Sequence, residues 1–514
     1  MTTRRDFLAR LGLGAAAGLA LPIRSAFGTQ TPAGSLPNTY TTPSDDAQYG
    51  GGVSNYDFKV LEIFCQGGLS HEESLWMYSS DARSYQSAAS GNPKYSTPTW
   101  TDIDSGLGSA SLVRASLDTS AGQYFSRVFR PITSPRMRDS GFLGIPLLDP
   151  ALSDRMRVVA LHHDQPPHVA AVPFALGGLT IGRPRRAGLG AAIEAAHGTG
   201  DPASPLSYVL YGDKGRGTAF HAAAYGEHEA PYMPVLLEFG TSASANDFAE
   251  QFHARRNEAA DALWAHYQSA YAAKLDGSRS AGHDAYQAAA ARLAAGQDLA
   301  DKWTGIDFQV TETGYGGSPS SGSSTSSSTN YTRSMLRAAA ELLSSGGAAQ
   351  ARYVCVVDSG VGLDYDHHEA SNDEAVGRNL ATVQAGSIWS TLDELADLCH
   401  SGAVDLDDTL VVINTEFGRW TRGTDAGHYG SDHNPEGYAV AVLGGPVATS
   451  GVGGAMSGGD ATNDAAFGSK YTPTDLHAAL LAAAGIDPYS ANNLTTDETS
   501  LDNAADLATV FFGA

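Results

Sequence analysis

Five stretches of the chain are apolar runs of strand length: Phe58–Cys65, Arg157–Leu161, Tyr353–Val357, Thr409–Asn414 and Tyr438–Leu443. Runs without polar alternation read as strands buried on both faces. The first is stopped by Gln66-Gly67-Gly68. Helical spacing predicts helices over 334–345, about 379–400 and 474–484, the last opened by Pro473. Residues 247–304 also repeat at helical spacing, with a break near Gly277. There Phe248, Phe252, Leu263, Tyr267 and Tyr271 mark a face expected to meet the core. Strands alternating with helices predict an α/β fold with a mostly parallel central sheet flanked by helices.

The rest of the chain divides by composition. Residues 29–55 are rich in Thr, Pro, Ser and Gly and read as a flexible leader. Residues 56–514 read as a single domain, with an irregular insertion at about 80–145 and a flexible Gly/Ser loop at 313–330. Residues 1–28 are different in kind. Thr3-Arg4-Arg5-Asp6-Phe7-Leu8 followed by an Ala/Gly/Leu stretch resembles a twin-arginine export signal. That stretch is too short for a bilayer core of about 30 Å, and no integral span is expected in the mature chain. The expectation is export through the twin-arginine machinery to the periplasm, cell surface or medium.

Composition narrows the function classes. Of 514 residues 42% are hydrophobic, which excludes wholesale disorder. Lys and Arg number 32 against 56 Asp and Glu, a net charge of −24, so a generally basic nucleic-acid surface is excluded. Three cysteines (Cys65, Cys355, Cys399) make no disulfide framework. No G-x-S-x-G, P-loop, H-E-x-x-H or paired C-x-x-C motif occurs.

The chemistry gathers at strand ends. In open α/β sheets ligands bind beyond the carboxyl ends of the strands. After the first strand comes Ser70-His71-Glu72-Glu73-Ser74, and after the second His162-His163-Asp164 with His168. After the Tyr353 strand comes Asp364-Tyr365-Asp366-His367-His368-Glu369. Glu416-Phe417-Gly418-Arg419 follows the Thr409 strand, and Asp432-His433 precedes the Tyr438 strand. Carboxylates and imidazoles are the donors for hard-to-borderline divalent ions. A guanidinium such as that of Arg419 suits a phosphate or sulfate oxyanion.

Together, Gly67-Gly68-Leu69-Ser70-His71, Tyr365-Asp366-His367-His368, Asp408 to Arg419, Asp432-His433-Asn434-Pro435 and Thr472-Pro473-Thr474-Asp475-Leu476-His477 resemble the motifs of the domain-of-unknown-function 1501 family. That resemblance covers roughly residues 56–490 and implies an alkaline-phosphatase-like sheet of the phosphatase and sulfatase superfamily. It implies one or two divalent ions (Zn, Mg, Mn or Ca) held by Glu73, Asp366, His368, Glu416, Asp432 and His433. His71, His163, His168 and His367 would support the ligands from behind. Arg419 and Ser74 are the catalytic candidates, Arg419 to offset transition-state charge and Ser74 as the nearest hydroxyl to a strand-one nucleophile. The first motif departs from the family, with Glu73 one methylene longer than the usual aspartate. No Cys-x-Pro-x-Arg sulfatase signature is present. The expected function is an exported metal-dependent hydrolase of a small or polymeric phosphate or sulfate ester. The alternative is a secreted or surface binding or structural protein on a degenerate hydrolase scaffold.

If the leader is an export signal, changing Arg4 and Arg5 to Lys should leave unprocessed precursor in the cytoplasm, read by fractionation. Unchanged export would remove that reading.

Overall fold

The computed structural model describes residues 59–69, 152, 155–180, 188–197, 208–213, 235–239, 262–263, 265–266, 269–270, 303, 311–316, 326–329, 331–344, 350–358, 365–366, 387–388, 390–419, 433–435, 437–445, 447, 451–453 and 471–486. Its strands are β1 (Lys59–Cys65), β2 (Met156–Leu161), β3 (Tyr208–Asp213), β4 (Val235–Phe239), β5 (Thr311–Gly316), β6 (Ser326–Thr329), β7 (Tyr353–Asp358), β8 (Thr409–Thr415), β9 (Gly418–Arg419), β10 (His433–Asn434), β11 (Tyr438–Gly444) and β12 (Gly451–Gly453). Its helices are α1 (His168–Gly177), α2 (Leu189–His197), α3 (Tyr331–Ser344) and α4 (Pro473–Ala483), and residues 390–400 are also helical.

Eight strands form one sheet in the order β12-β2-β11-β8-β1-β7-β3-β4. Every neighbouring pair is parallel except the two made by β11, which runs against both β2 and β8. The architecture is the α/β fold read from the strand pattern. The direction of β11 has a consequence for the site. A reversed strand begins where its neighbours end, so the residues just before Tyr438 stand at the edge where β1, β7 and β8 finish.

Alternation along each strand sorts the core into two layers. Leu61, Ile63, Val354, Val356, Val411 and Ile413 face α3 and the 390–400 helix. Val60, Phe64, Cys355, Leu410 and Val412 face the other way, into a cluster with α1, α2 and α4. Cys65 and Cys355 are buried free thiols, and burial pushes both well above the usual thiol range. α4 is started by a capping box: Thr472 Oγ1 accepts from Asp475 N–H while the Asp475 carboxylate takes the Thr472 N–H.

Several expectations change. The 313–330 stretch, read as a loop, carries part of β5 and all of β6, an antiparallel pair. Leu263, expected in the core, is 48% exposed. β3, β4, α1 and α2 are additions to the elements expected from the sequence. The YVLYGD and VLLEF runs were a usable strand signal, whereas Pro166, Pro167 and Pro173 disguise α1. Residues 1–55 and 80–145 lie outside the described residues. Among the described residues, no helix is long and apolar enough to cross a membrane.

Glu62 is the polar exception on β1, fully buried and bonded by Asn414 and Tyr353. Burial lifts its carboxyl from 4.5 to about 7, and the two hydrogen bonds only partly oppose this. Below the lower value the group is protonated in folded and unfolded chains alike. Between the two values the unfolded chain releases the proton and the folded chain keeps it, so stability falls as pH rises, by about 3 kcal/mol in total. Glu62→Gln should therefore gain stability relative to the parent at about pH 8 but not at about pH 4, read by denaturant unfolding. An equal difference at both pH values would contradict this.

Candidate metal centre

The carboxyl ends of β7, β1 and β8 lie side by side, and β1 pairs with both of the others in parallel register. β8 continues through Glu416 and Phe417 into β9, which pairs antiparallel with β10 and sets His433 opposite Arg419. His163, just past β2, gives its backbone N–H to the Pro435 carbonyl at 2.8 Å and ties the start of β11 to the same edge. α1 then begins at His168, with the Ala170 and Ala171 N–H groups turned back onto the Pro167 carbonyl.

Four of the expected residues meet here. His168 Nε2 lies 3.2 Å from Asp366 Oδ2, and His168 Nδ1 lies 2.9 Å from Glu416 Oε1. Burial alone would lower the His168 pKa, but the bonds and charges of Asp366 and Glu416 outweigh it and raise it to about 9. The imidazole is an imidazolium bridging two carboxylates. Asp366 is held well below the usual carboxylate range: its burial is overridden by His168 and by the Arg419 guanidinium.

His433 completes the group. Donor atoms of His168, Asp366 and His433 all lie within 4.8 Å of one another, a spacing that fits one divalent ion. The His433 ring stacks on Phe417, centroids 4.2 Å apart and 29° between planes, and meets His168 edge-on at 4.3 Å. Its Nδ1 bonds the Pro166 carbonyl. A carbonyl only accepts, so that nitrogen carries the proton.

Glu416 and Arg419 face inward. Glu416 is fully buried and accepts the Gly67 N–H at 2.7 Å. Arg419, expected to present its fork to an oxyanion, is 1% exposed. It gives Nε to the Gly67 carbonyl at 2.8 Å and Nη2 to that carbonyl and to Asp366. His163 is also buried, which lowers its pKa to about 4. It donates Nε2–H to the Glu416 carbonyl at 2.6 Å, while its Nδ1 accepts from Gln165. Glu73, Ser74, His71, His367, His368 and Asp432 lie outside the described residues.

Phe417 as a ring platform, Gly67 as a two-sided peptide and the Pro166 carbonyl were not anticipated. Only the glycine pair in the first motif gave a signal. Gly67 has φ 115°, and a Cβ there would stand 2.7 Å from the Tyr365 carbonyl carbon and closer still to the Asp366 nitrogen.

The fold and this site define a class: an α/β protein with a His/Asp/His group at the carboxyl edge of a mostly parallel sheet. The chain belongs to the family described as "Protein of unknown function (DUF1501)", whose model matches residues 58–500. No curated protein matches it. Among solved structures it is similar to the alkaline phosphatase from the Antarctic bacterium TAB5, at 9% identity and TM-score 0.33 over 84% of this chain and 98% of that one. It is also similar to Ps i-CgsB in complex with k-i-k-neocarrahexaose, at 10% identity and TM-score 0.31 over 86% of this chain and 74% of that one.

Gly67→Ala should destabilise the protein by about 2 kcal/mol or more, because the backbone is left-handed there and the new methyl meets the Asp366 peptide. Thermal unfolding checks this. A variant with unchanged melting would show that the loop gives way freely.

Proposed function

We propose that the protein is a metal-dependent hydrolase of a phosphate or sulfate ester, exported by the twin-arginine route. The observation that carries the reading is the convergence of His168, Asp366 and His433 within 4.8 Å from three separate parts of the chain. The donor set of two imidazoles and one carboxylate suits a borderline divalent ion such as zinc, and leaves positions for water or substrate. A bound ion would polarise an ester oxygen and lower the pKa of a coordinated water.

The chain's own residues do the arranging. In this reading Glu416, expected as a ligand, would instead act through its bond to His168 Nδ1, fixing the ring and raising its basicity as carboxylates behind metal-bound histidines do, and His168, expected behind the ligands, would itself hold the ion. Arg419 holds Asp366 by Oδ1, which leaves Oδ2 turned to His168. Arg419 therefore tunes the charge of the site through Asp366. His433 packed on Phe417 forms one wall. His368, Asp432 and Glu73 are the proposed further ligands and Ser74 the proposed nucleophile.

The binding-protein alternative is favoured by one observation. The Glu416 carboxylate and the Arg419 Nε and Nη2 are all committed to partners inside the protein.

Protein purified without chelator should contain about one or two ions per chain by elemental analysis. Chelation should lower its melting temperature, since an ion that binds only the folded state stabilises it. His433→Ala should lose the ion and any activity in a screen of phosphate and sulfate esters. A metal content well below one per chain would favour the binding protein.

A further inference from the structure

A string of buried polar side chains crosses the face of the sheet that carries α1, α2 and α4. Tyr353 on β7 donates to Glu62 on β1. Asn414 on β8 donates Nδ2 to Glu62 Oε1 at 2.8 Å and to the Ala175 carbonyl at 3.1 Å, which uses both amide hydrogens. Its Oδ1 accepts the Thr415 N–H, so the amide has a single orientation. His477 on α4 donates Nε2–H to the same Ala175 carbonyl at 2.8 Å. Glu62, Asn414 and His477 are all at most 2% exposed.

Ala175 lies in the last turn of α1, where carbonyls have no partner within the helix. Gly178 turns its N–H back to Phe174, Asn414 and His477 take Ala175, and Thr474 Oγ1 takes the Gly178 carbonyl at 2.6 Å. The C-terminal end of α1 is thereby bolted to β8 and α4. Pro173 removes one of the few internal hydrogen bonds of this short helix. Its register depends correspondingly more on these outside bonds. The opposite end, about 10 Å along the axis, is His168. A well-packed apolar set could stabilise the same contact at least as well as buried Glu, Asn and His. Defined placement is what the polar set adds.

We propose that Asn414 and His477 are positioning residues of the site: by gripping the Ala175 carbonyl they set where α1 holds His168 relative to Asp366 and His433. The consequence for metal binding rests on His168 being a ligand, as proposed above; the geometric claim does not.

The test uses the full chain with 13C-labelled histidine at fixed pH, the His168 ring signals being assigned with His168→Gln. The Phe417 ring, 4.8 Å from that of His168, makes those signals sensitive to small displacements. His477→Leu, which lacks the donor, should shift them, and His477→Gln, which keeps an amide donor, should return them toward the parent. Thr474→Val, which loses only the bond to Gly178, provides a milder variant should His477→Leu fail to fold, and should shift them the same way. Cobalt(II) affinity should fall roughly tenfold or more in His477→Leu and recover in His477→Gln. His168 signals unmoved in folded His477→Leu and Thr474→Val, with only melting lowered, would overturn the proposal. A parent that binds no cobalt(II) while His168 still moves would overturn the metal reading and uphold this one.

Discussion

The backbone of Gly67 is the contact on which the rest of the site depends. Its N–H donates to Glu416 and its carbonyl receives Arg419, while the absence of a side chain lets the Tyr365–Asp366 segment lie directly against it. The end of β1, the β8–β9 connection and the Tyr365–Asp366 segment are thereby joined through one residue. Hydrogen bonds to charged partners in a buried setting each contribute about 1.5–3 kcal/mol. They also impose direction. Glu416 aligned by Gly67 holds His168, Arg419 aligned by Gly67 holds Asp366, and those two then face each other.

The sheet supports this edge from both sides by different means. On the face toward α3 and the 390–400 helix, the fully buried Asp358 at the end of β7 receives hydroxyls from Thr332, Thr391 and Tyr365 at 2.7–2.8 Å. Tyr365 immediately precedes Asp366, so this carboxylate anchors the loop that presents the ligand candidate. On the opposite face, Glu62, Asn414 and His477 grip α1. An aspartate ringed by three hydroxyls and a glutamate sharing an amide are both costly to bury and adequately satisfied only in one arrangement. The polar groups thus specify a geometry that apolar packing alone would leave loose.

The charge pattern makes the edge self-consistent. Asp366 and Glu416 would repel at close range without the His168 imidazolium between them and Arg419 beside Asp366. A divalent ion would take over the role of the His168 proton at Nε2 while Glu416 kept its hold on Nδ1.

Much of the frame was legible in the residues. The continuous apolar runs of β1, β2, β7, β8 and β11 read as buried strands, because a central strand buries the side chains of both its faces. Helical alternation between them dictated a mostly parallel sheet, and parallel strands bring their trailing loops to one edge. Asp366, Glu416 and His433 could accordingly be placed together without coordinates, although as many as 67 positions separate them. What only the tertiary structure decided is which atom faces which. Composition and spacing cannot show that Glu416 turns inward to a glycine N–H, that Arg419 is consumed by a carbonyl, or that His168 heads a helix hidden among prolines. Those outcomes depend on side-chain direction, on the reversal of β11 and on a peptide with positive φ. They are set by long-range packing and hydrogen-bond satisfaction, which local sequence does not encode.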